Sequence, residues 1–172
     1  MKRVLVIAVL MLTIFSAAVA QTTGYVNTET ILSKMPEFIQ AQQQLERLTS
    51  QYELQLQEEI SVIEGLFARY QEEKARLNDM QRNARENEII TKERAVKEKQ
   101  AEIFGQEGVI AERTRQLLDP IREVVQQAID AVAKENGYTM IFDAATVQGI
   151  IYTDTKADIT DKVVARLGLT TQ

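Results

Sequence analysis

The sequence has 172 residues with no histidine, no cysteine and no tryptophan, and it contains only seven glycines and two prolines. Without histidine and cysteine there is no Ser-His-Asp triad, cysteine nucleophile, disulfide framework or zinc site of the usual ligands. No glycine-rich Walker-type loop is present to bind ATP. Adjacent carboxylates such as Glu58 and Glu59 point to different sides of a helix and are interpreted as solvated. The sequence therefore predicts a protein that is not an enzyme and has no cofactor and no metal.

The first twenty residues have the pattern of a cleaved secretory signal peptide. Lys2 and Arg3 precede an apolar stretch from Val4 to Phe15, and residues 18–20 supply the small residues that signal peptidase accepts. The alternative is an uncleaved membrane anchor, but the stretch is short for a span of about 20 residues. We expect cleavage before Gln21 and export of the mature chain.

The charge of the mature chain is unevenly distributed. Removing the signal peptide leaves a net charge of −7, which disfavours nucleic acid as a partner. Residues 37–73 are strongly acidic, whereas residues 74–99 carry three more basic than acidic side chains. This basic stretch is interpreted either as an ordinary solvated helix surface or as weak attraction to anionic lipid or a membrane surface.

The middle of the chain, residues 36–136, predicts a long antiparallel helical hairpin. Pro36 suits the first turn of a helix, and Gly137 suits the left-handed position after the last turn. A helix of about 100 residues needs a partner for its apolar stripe, so two arms are expected. We place the turn near residues 78–90, where Asn78, Asn83 and Asn87 weaken the helix.

Apolar residues repeat along both predicted arms with the spacing of a coiled coil. The descending arm has apolar residues seven apart: Ile89, Val96, Ile103, Ile110, Leu117, Val124 and Ala131. The ascending arm has Phe38, Ala41, Leu45, Leu48 and Tyr52, then Leu56, Ile60, Ile63, Phe67, Tyr70 and Leu77.

Four residues are predicted to give the arms flexibility or a bend. With a turn near residue 86, Gly65, Gly105 and Gly108 would lie at one level of the hairpin, forming either a soft joint or a close helix contact. Pro120 predicts a kink near the base of the arm, or else a new helix capped by Asp119.

The two ends of the mature chain, residues 21–35 and 137–172, predict a small β-rich body. Strands are expected at residues 24–27, 138–143 and 149–153, followed by a helix from Ile159 to Leu167 that Asp158 caps. So few residues bury little core and leave sheet edges exposed, so the body should oligomerise. The candidate body residues are Tyr25, Val26, Tyr138, Met140, Ile141, Phe142, Ile150, Ile151, Tyr152, Val163, Val164 and Leu167.

The terminal motifs resemble those of the Skp (OmpH-like) family of periplasmic chaperones. The carriers are residues 24–27 (GYVN), Ile31-Leu32 and Pro36 at one end, and residues 137–143 (GYTMIFD) and 158–160 (DIT) at the other. The resemblance covers the whole mature chain, although the middle matches only in character. The best-known members are basic overall, and the acidic mature chain departs from them in that respect.

The resemblance implies an α+β fold that is mainly helical, with a hairpin projecting from a small trimeric β-sheet or barrel body. It also implies a periplasmic, ATP-independent holdase that encloses unfolded outer-membrane proteins between its arms and prevents their aggregation. The candidate contacts with such clients are Phe67, Tyr70, Met80, Ile90 and Phe104, whose alternative role is packing between helices. The competing function is a non-enzymatic coiled-coil spacer or adaptor of the cell envelope.

Overall fold

The structure is a computed structural model that describes residues 22–169, so the predicted signal peptide lies outside the described residues. The described chain is mostly helical with a small two-stranded sheet, which confirms the predicted α-dominant fold. In chain order the elements are β1 (Thr22–Val26), α1 (Thr28–Ser33), α2 (Pro36–Glu73), α3 (Asp79–Phe104), α4 (Val109–Asn136), β2 (Tyr138–Asp143) and α5 (Thr160–Arg166). Short 3₁₀ turns lie at Lys74–Arg76 and Thr155–Ala157.

The described chain divides into two compact units. Residues 35–124 form one unit, and residues 22–34 together with 125–169 form the other. The structure therefore groups the last turns of α4 with the strands, whereas the sequence pattern alone assigns all of residues 36–136 to the hairpin. The two units are called the hairpin unit and the body unit.

The turn of the hairpin lies at Lys74–Asn78, earlier in the chain than the predicted 78–90. Leu77 has extended backbone, and the Asn78 side chain accepts a hydrogen bond from the backbone N–H of Gln81. The Gln81 side chain in turn accepts from the backbone N–H of Asn78, which completes a capping box. Asn78 thus starts α3 rather than weakening it, and Asn83 and Asn87 lie inside that helix.

The buried contact between α2 and α3 consists of two series of residues spaced seven apart. Leu56, Ile63 and Tyr70 of α2 pack with Ile89, Val96 and Ile103 of α3. This agrees with the predicted descending series as far as Ile103 and with part of the ascending series. Ile60 and Phe67 belong to the predicted ascending series, but they are 37% and 51% exposed.

The descending series changes phase between α3 and α4. In α4 the buried residues spaced seven apart are Leu118, Val125 and Val132, while the predicted Val124 is 47% exposed. The physical reason is a break in the helix: α3 ends at Phe104 and α4 begins at Val109. Because the chain leaves helical geometry between them, the seven-residue count does not carry over along the whole of α4. Ile110 still packs against the hairpin core as predicted, but further along the helix the buried series lies one residue later and the prediction of Val124 is wrong.

Pro120 lies inside α4, which runs without interruption from Val109 to Asn136. The alternative of a new helix that begins at Pro120 is therefore wrong. After Asn136 the chain turns at Gly137 with φ of 71°, which confirms the predicted left-handed residue.

The sheet of the body unit contains β1 and β2, paired in parallel with an irregularity between Thr22 and Thr23. The predicted third strand at residues 149–153 is absent from the described chain, and Ile151 is 99% exposed there. The β-prone residues of this segment have no adjacent strand within one chain, so periodicity alone overestimates the sheet. The other side of β1 instead meets Asp158 through a single bridge at Tyr25.

The core of the body unit forms where β1, α1 and α5 meet. Its most completely buried side chains are Val26, Ile31, Ile159, Val163 and Val164. Helix α5 begins at Thr160, and the Asp158 carboxylate accepts the backbone N–H of Thr160 at 2.8 Å. The helix is thus one residue shorter at each end than predicted, and Ile159 occupies its N-terminal cap position.

Candidate functional site

The candidate site is a set of exposed apolar side chains on the hairpin unit. Four of the five predicted contact residues are exposed: Met80 at 82%, Ile90 at 52%, Phe67 at 51% and Phe104 at 37%. The structure adds Leu54, Ile60 and Val62, which are 67%, 37% and 55% exposed. Ile60 could have been found from the sequence, because it precedes Phe67 by seven residues and shares its helix stripe.

Tyr70 is the exception among the predicted contact residues, because only 4% of it is exposed. Its ring is part of the packing between α2 and α3, and its hydroxyl donates a hydrogen bond to the Glu86 carboxylate. That bond, burial and the negative charge of Glu86 together raise the pKa of Tyr70. Lys74 lies 5.5 Å from the ring centroid. Tyr70 therefore has its alternative role of packing between the helices at the end of the hairpin, and its contact with a client stays a prediction.

Polar pairs show how the two helices of the hairpin align. Tyr70 meets Glu86 near the turn, and the Lys99 ammonium meets the Glu59 carboxylate further from it. This alignment contradicts the prediction that the three glycines share one level. Gly65 lies on the turn side of the Glu59–Lys99 pair, whereas Gly105 lies beyond it.

The hairpin has two distinguishable faces. Residues three or four apart lie on the same side of a helix. Phe67 is therefore one turn from Tyr70 in α2, and Ile90 is one turn from Glu86 in α3. Because Tyr70 and Glu86 are hydrogen-bonded, Phe67 and Ile90 lie side by side on the two helices. Ile60 and Phe104 continue these stripes at multiples of seven residues. The opposite side is a groove lined by Glu59, Val62, Ile63, Lys92, Ala95 and Val96. We name the side with Ile60, Phe67, Ile90 and Phe104 the Phe67 face, and the side with Val62 the Val62 face.

The two faces differ in charge as well as in apolar content. Glu64 and Glu93 lie among the apolar residues of the Phe67 face and are exposed. Neither carboxylate has an ion-pair partner within residues 22–169, and the same holds for Lys97 beside them. On the Val62 face Glu59 is paired with Lys99, and Glu88 with Arg85.

The predicted body residues divide into a buried and an exposed group. Val26, Val163 and Val164 are at most 2% exposed and form the core, while Tyr25, Tyr138, Ile141 and Leu167 are half-buried. Five large side chains remain exposed: Met140, Phe142, Ile150, Ile151 and Tyr152. The exposed group is the part of this prediction that can contact another molecule.

Asp143 ties the end of β2 to the start of α1 within the body unit. Its carboxylate accepts hydrogen bonds from the Thr28 hydroxyl at 2.7 Å and the Thr28 backbone N–H at 3.2 Å. It also accepts from the backbone N–H of Ala145 at 3.0 Å and from the Thr146 hydroxyl at 3.3 Å. Burial opposes ionisation, but these donors outweigh it and hold the pKa of Asp143 below its usual value. These hydrogen bonds to the Asp143 carboxylate therefore stabilise the body unit.

The residues predicted to confer flexibility have different surroundings. Gly65 lies within the uninterrupted helix α2, and a Cβ there would meet nothing within 4 Å, so the close-contact alternative is wrong for it. At Gly108 a Cβ would lie 2.7 Å from the carbonyl oxygens of both Glu102 and Ile103. At Gly105, the C-cap residue that follows α3, it would meet the carbonyl oxygen of Ala101. Flexibility of the arm at Gly65, Gly105, Gly108 and Pro120 stays a prediction.

Two further features of residues 22–169 concern membrane-spanning helices and metal sites. No helix in this range combines the length and the apolar character needed to cross a membrane. The same range holds no group of three or more acidic, histidine or cysteine side chains placed to bind a metal ion.

Comparison with known proteins agrees with the fold. The model of a family described as "Outer membrane protein (OmpH-like)" matches residues 22–167. The chain therefore belongs to the OmpH-like family, which confirms the resemblance drawn from its terminal motifs. No curated protein sequence matches it.

A solved structure also resembles this chain. It is an OmpH-like protein from Caulobacter crescentus CB15, whose description proposes an outer membrane chaperone. The two are 14% identical with a TM-score of 0.63, and the match covers 85% of this chain and 83% of the other. At this identity the likeness concerns the fold.

Proposed function

We propose that this chain is an ATP-independent holdase chaperone of the periplasm that binds unfolded outer-membrane proteins and prevents their aggregation. The single observation that carries the proposal is the hairpin surface, where large apolar side chains stay exposed although the helices already have a buried contact of their own. Membership of the OmpH-like family supports the same function.

The clients follow from the chemistry of transmembrane β-strands. Such strands alternate apolar and polar residues, and in water their exposed edges pair and aggregate. A surface with separated apolar side chains offers many weak contacts, so avidity can hold a client without folding it. Release then needs no nucleotide, because the folded state of the client in its membrane is lower in free energy.

The active form is proposed to be a homotrimer, assembled through the body unit. One edge of β2 has no neighbouring strand within the described chain, and Ile151 and Tyr152 are 99% and 82% exposed nearby in sequence. Neighbouring copies would cover these groups, and their hairpins would surround the client. Export by the cleaved signal peptide places the trimer in the periplasm, and the basic residues of 74–99 give it at most weak contact with anionic lipid.

The experiment is dilution of a urea-unfolded outer-membrane β-barrel into buffer with and without the mature chain, followed by light scattering. A holdase lowers scattering at a ratio of about one trimer to one client, and it does so without ATP. Unchanged scattering over a range of ratios would overturn the proposal and leave the coiled-coil spacer as the better interpretation.

A further inference from the structure

We propose that the Phe67 face, and not the Val62 face, binds the client, and that it favours unfolded segments with lysine or arginine beside apolar residues. This inference rests on the proposed function and adds to it the binding face and the chemistry of the preferred segment. Neither follows from the exposure of single residues, because apolar side chains are exposed on several sides of the hairpin.

The apolar argument concerns how the exposed side chains are grouped. Phe67 and Ile90 lie at one level on neighbouring helices, and each is about half exposed. Ile60 and Phe104 extend the same two stripes along the hairpin. The Val62 face offers one large exposed apolar side chain, Val62 itself, beside Ala95. Burial of apolar area is the main favourable term in association, so the Phe67 face is the better surface for an apolar segment.

The charge argument concerns the carboxylates within this apolar group. Glu64 lies between Ile60 and Phe67, and Glu93 follows Ile90 by three residues, so both border the path of a bound segment. Since neither has an ion-pair partner within residues 22–169, each is available to a cation on the client. Lys97 reduces the negative charge on this face without reversing it.

The other face has the opposite balance. Its carboxylates Glu59 and Glu88 are already paired with Lys99 and Arg85. Arg69 and Lys92 have no ion-pair partner in the described part of the chain, and neither has Glu73, so this side has no excess of unpaired carboxylates to attract a cationic segment. Opposite charges attract right partners and like charges suppress wrong ones, so a cationic segment is expected to bind the Phe67 face in preference to the Val62 face.

The first test separates the faces by their apolar residues. The double variant Phe67→Ser with Ile90→Ser is compared with Val62→Ser and Leu54→Ser together, which removes two equally exposed side chains elsewhere on the hairpin. The measurement is binding of a labelled peptide in which valine alternates with lysine. We expect the Phe67 and Ile90 double variant to bind it about tenfold more weakly than the parent, and the Val62 and Leu54 double variant to differ from the parent less than twofold. Circular dichroism verifies that both variants keep the helix content of the parent.

The second test separates the charges. Two labelled peptides of equal length alternate valine with lysine or valine with glutamate, and their binding to the mature chain is measured by fluorescence anisotropy. We expect tighter binding of the lysine peptide, with about a threefold loss for Glu64→Gln with Glu93→Gln at low salt. Glu58→Gln with Glu102→Gln removes the same charge away from the Phe67 face and should leave binding unchanged.

The outcomes distinguish this inference from the function on which it rests. If the parent chain suppresses β-barrel aggregation but binds both peptides equally, the charge preference is overturned and the holdase stands. If both apolar double variants lose equal affinity, the assignment of the face is overturned. Failure of the parent chain in the scattering experiment overturns the holdase function itself.

Discussion

Gly65 and Gly108 have opposite surroundings, and replacing each with alanine gives opposite expected effects. Gly65 is exposed inside α2 and its added Cβ would meet nothing, so Gly65→Ala should stabilise the hairpin by about 1 kcal/mol through helix propensity. Gly108→Ala would place a Cβ against two backbone carbonyl oxygens and should cost about 1–3 kcal/mol. Urea unfolding followed by circular dichroism measures both. Stabilisation by Gly108→Ala would mean that the break between α3 and α4 is not a constrained turn.

Asp143 gives the body unit a pH dependence with a defined sign. Its folded pKa lies below the unfolded value, so its hydrogen bonds contribute full stability above the unfolded pKa of about 4 and lose it as the pH falls through the folded pKa. We expect Asp143→Asn to cost about 1–3 kcal/mol at pH 7 and progressively less below pH about 4.

Urea unfolding of both proteins at neutral and acid pH measures this difference. Glu123→Gln, which removes an exposed carboxylate of α4, is the control and should match the parent at both pH values. A destabilisation by Asp143→Asn that stayed constant with pH would show that the Asp143 carboxylate is not responsible.

At the level of elements, a capping box stabilises the start of α3 directly after the turn of the hairpin. Asn78→Ala removes the side chain that accepts the Gln81 backbone N–H, and it should destabilise the hairpin by about 1 kcal/mol. Asn83→Ala is the matched control, because Asn83 lies exposed inside α3, where alanine is the better helix former. Thermal unfolding of both variants should therefore shift in opposite directions. If Asn83→Ala were the more harmful, the turn would have to lie further along the chain.

Elements also show why the seven-residue series succeeds on one side of a break and fails on the other. Ile89, Val96 and Ile103 are buried as predicted, because α3 is uninterrupted and its apolar stripe faces α2. In α4, Ile110 still packs against this core, but further along the buried residues are Leu118, Val125 and Val132, one position later than predicted. A seven-residue repeat therefore predicts the buried side of a helix only as long as the helix is uninterrupted.

At the scale of the whole molecule, the exposed apolar segment after β2 should control self-association. Ile151→Ser with Tyr152→Ser removes two side chains that the chain itself leaves exposed, and it should weaken the oligomer at least about tenfold. Sedimentation velocity would show a lower mass for the variant than for the parent. The melting temperature should depend on protein concentration more strongly for the parent than for the variant.

The control for this prediction is Leu54→Ser, which removes an exposed side chain from the hairpin and should leave the mass unchanged. A parent chain that sediments as a folded monomer at low micromolar concentration would contradict the prediction. It would also remove the enclosed space in which clients are proposed to be held.

The class of fold could be predicted from the residues alone, as could the exposure of several candidate contact residues, because both depend on local composition and spacing. Scarce glycine and proline between residues 36 and 136 require long helices, and Gly137 ends the last of them as expected. Phe67, Met80, Ile90 and Phe104 are exposed as the contact prediction requires.

Which apolar residues pack between the helices and which remain exposed depends on how α2 and α3 align. Tyr70 and Phe67 are both aromatic residues in the predicted series, but the alignment of α2 with α3 buries the first and leaves the second exposed. That alignment goes with a turn at Lys74–Asn78, where the capping box of Asn78 begins α3. The strand expected at residues 149–153 has the right composition, yet pairing requires a neighbouring strand that a sequence pattern cannot supply.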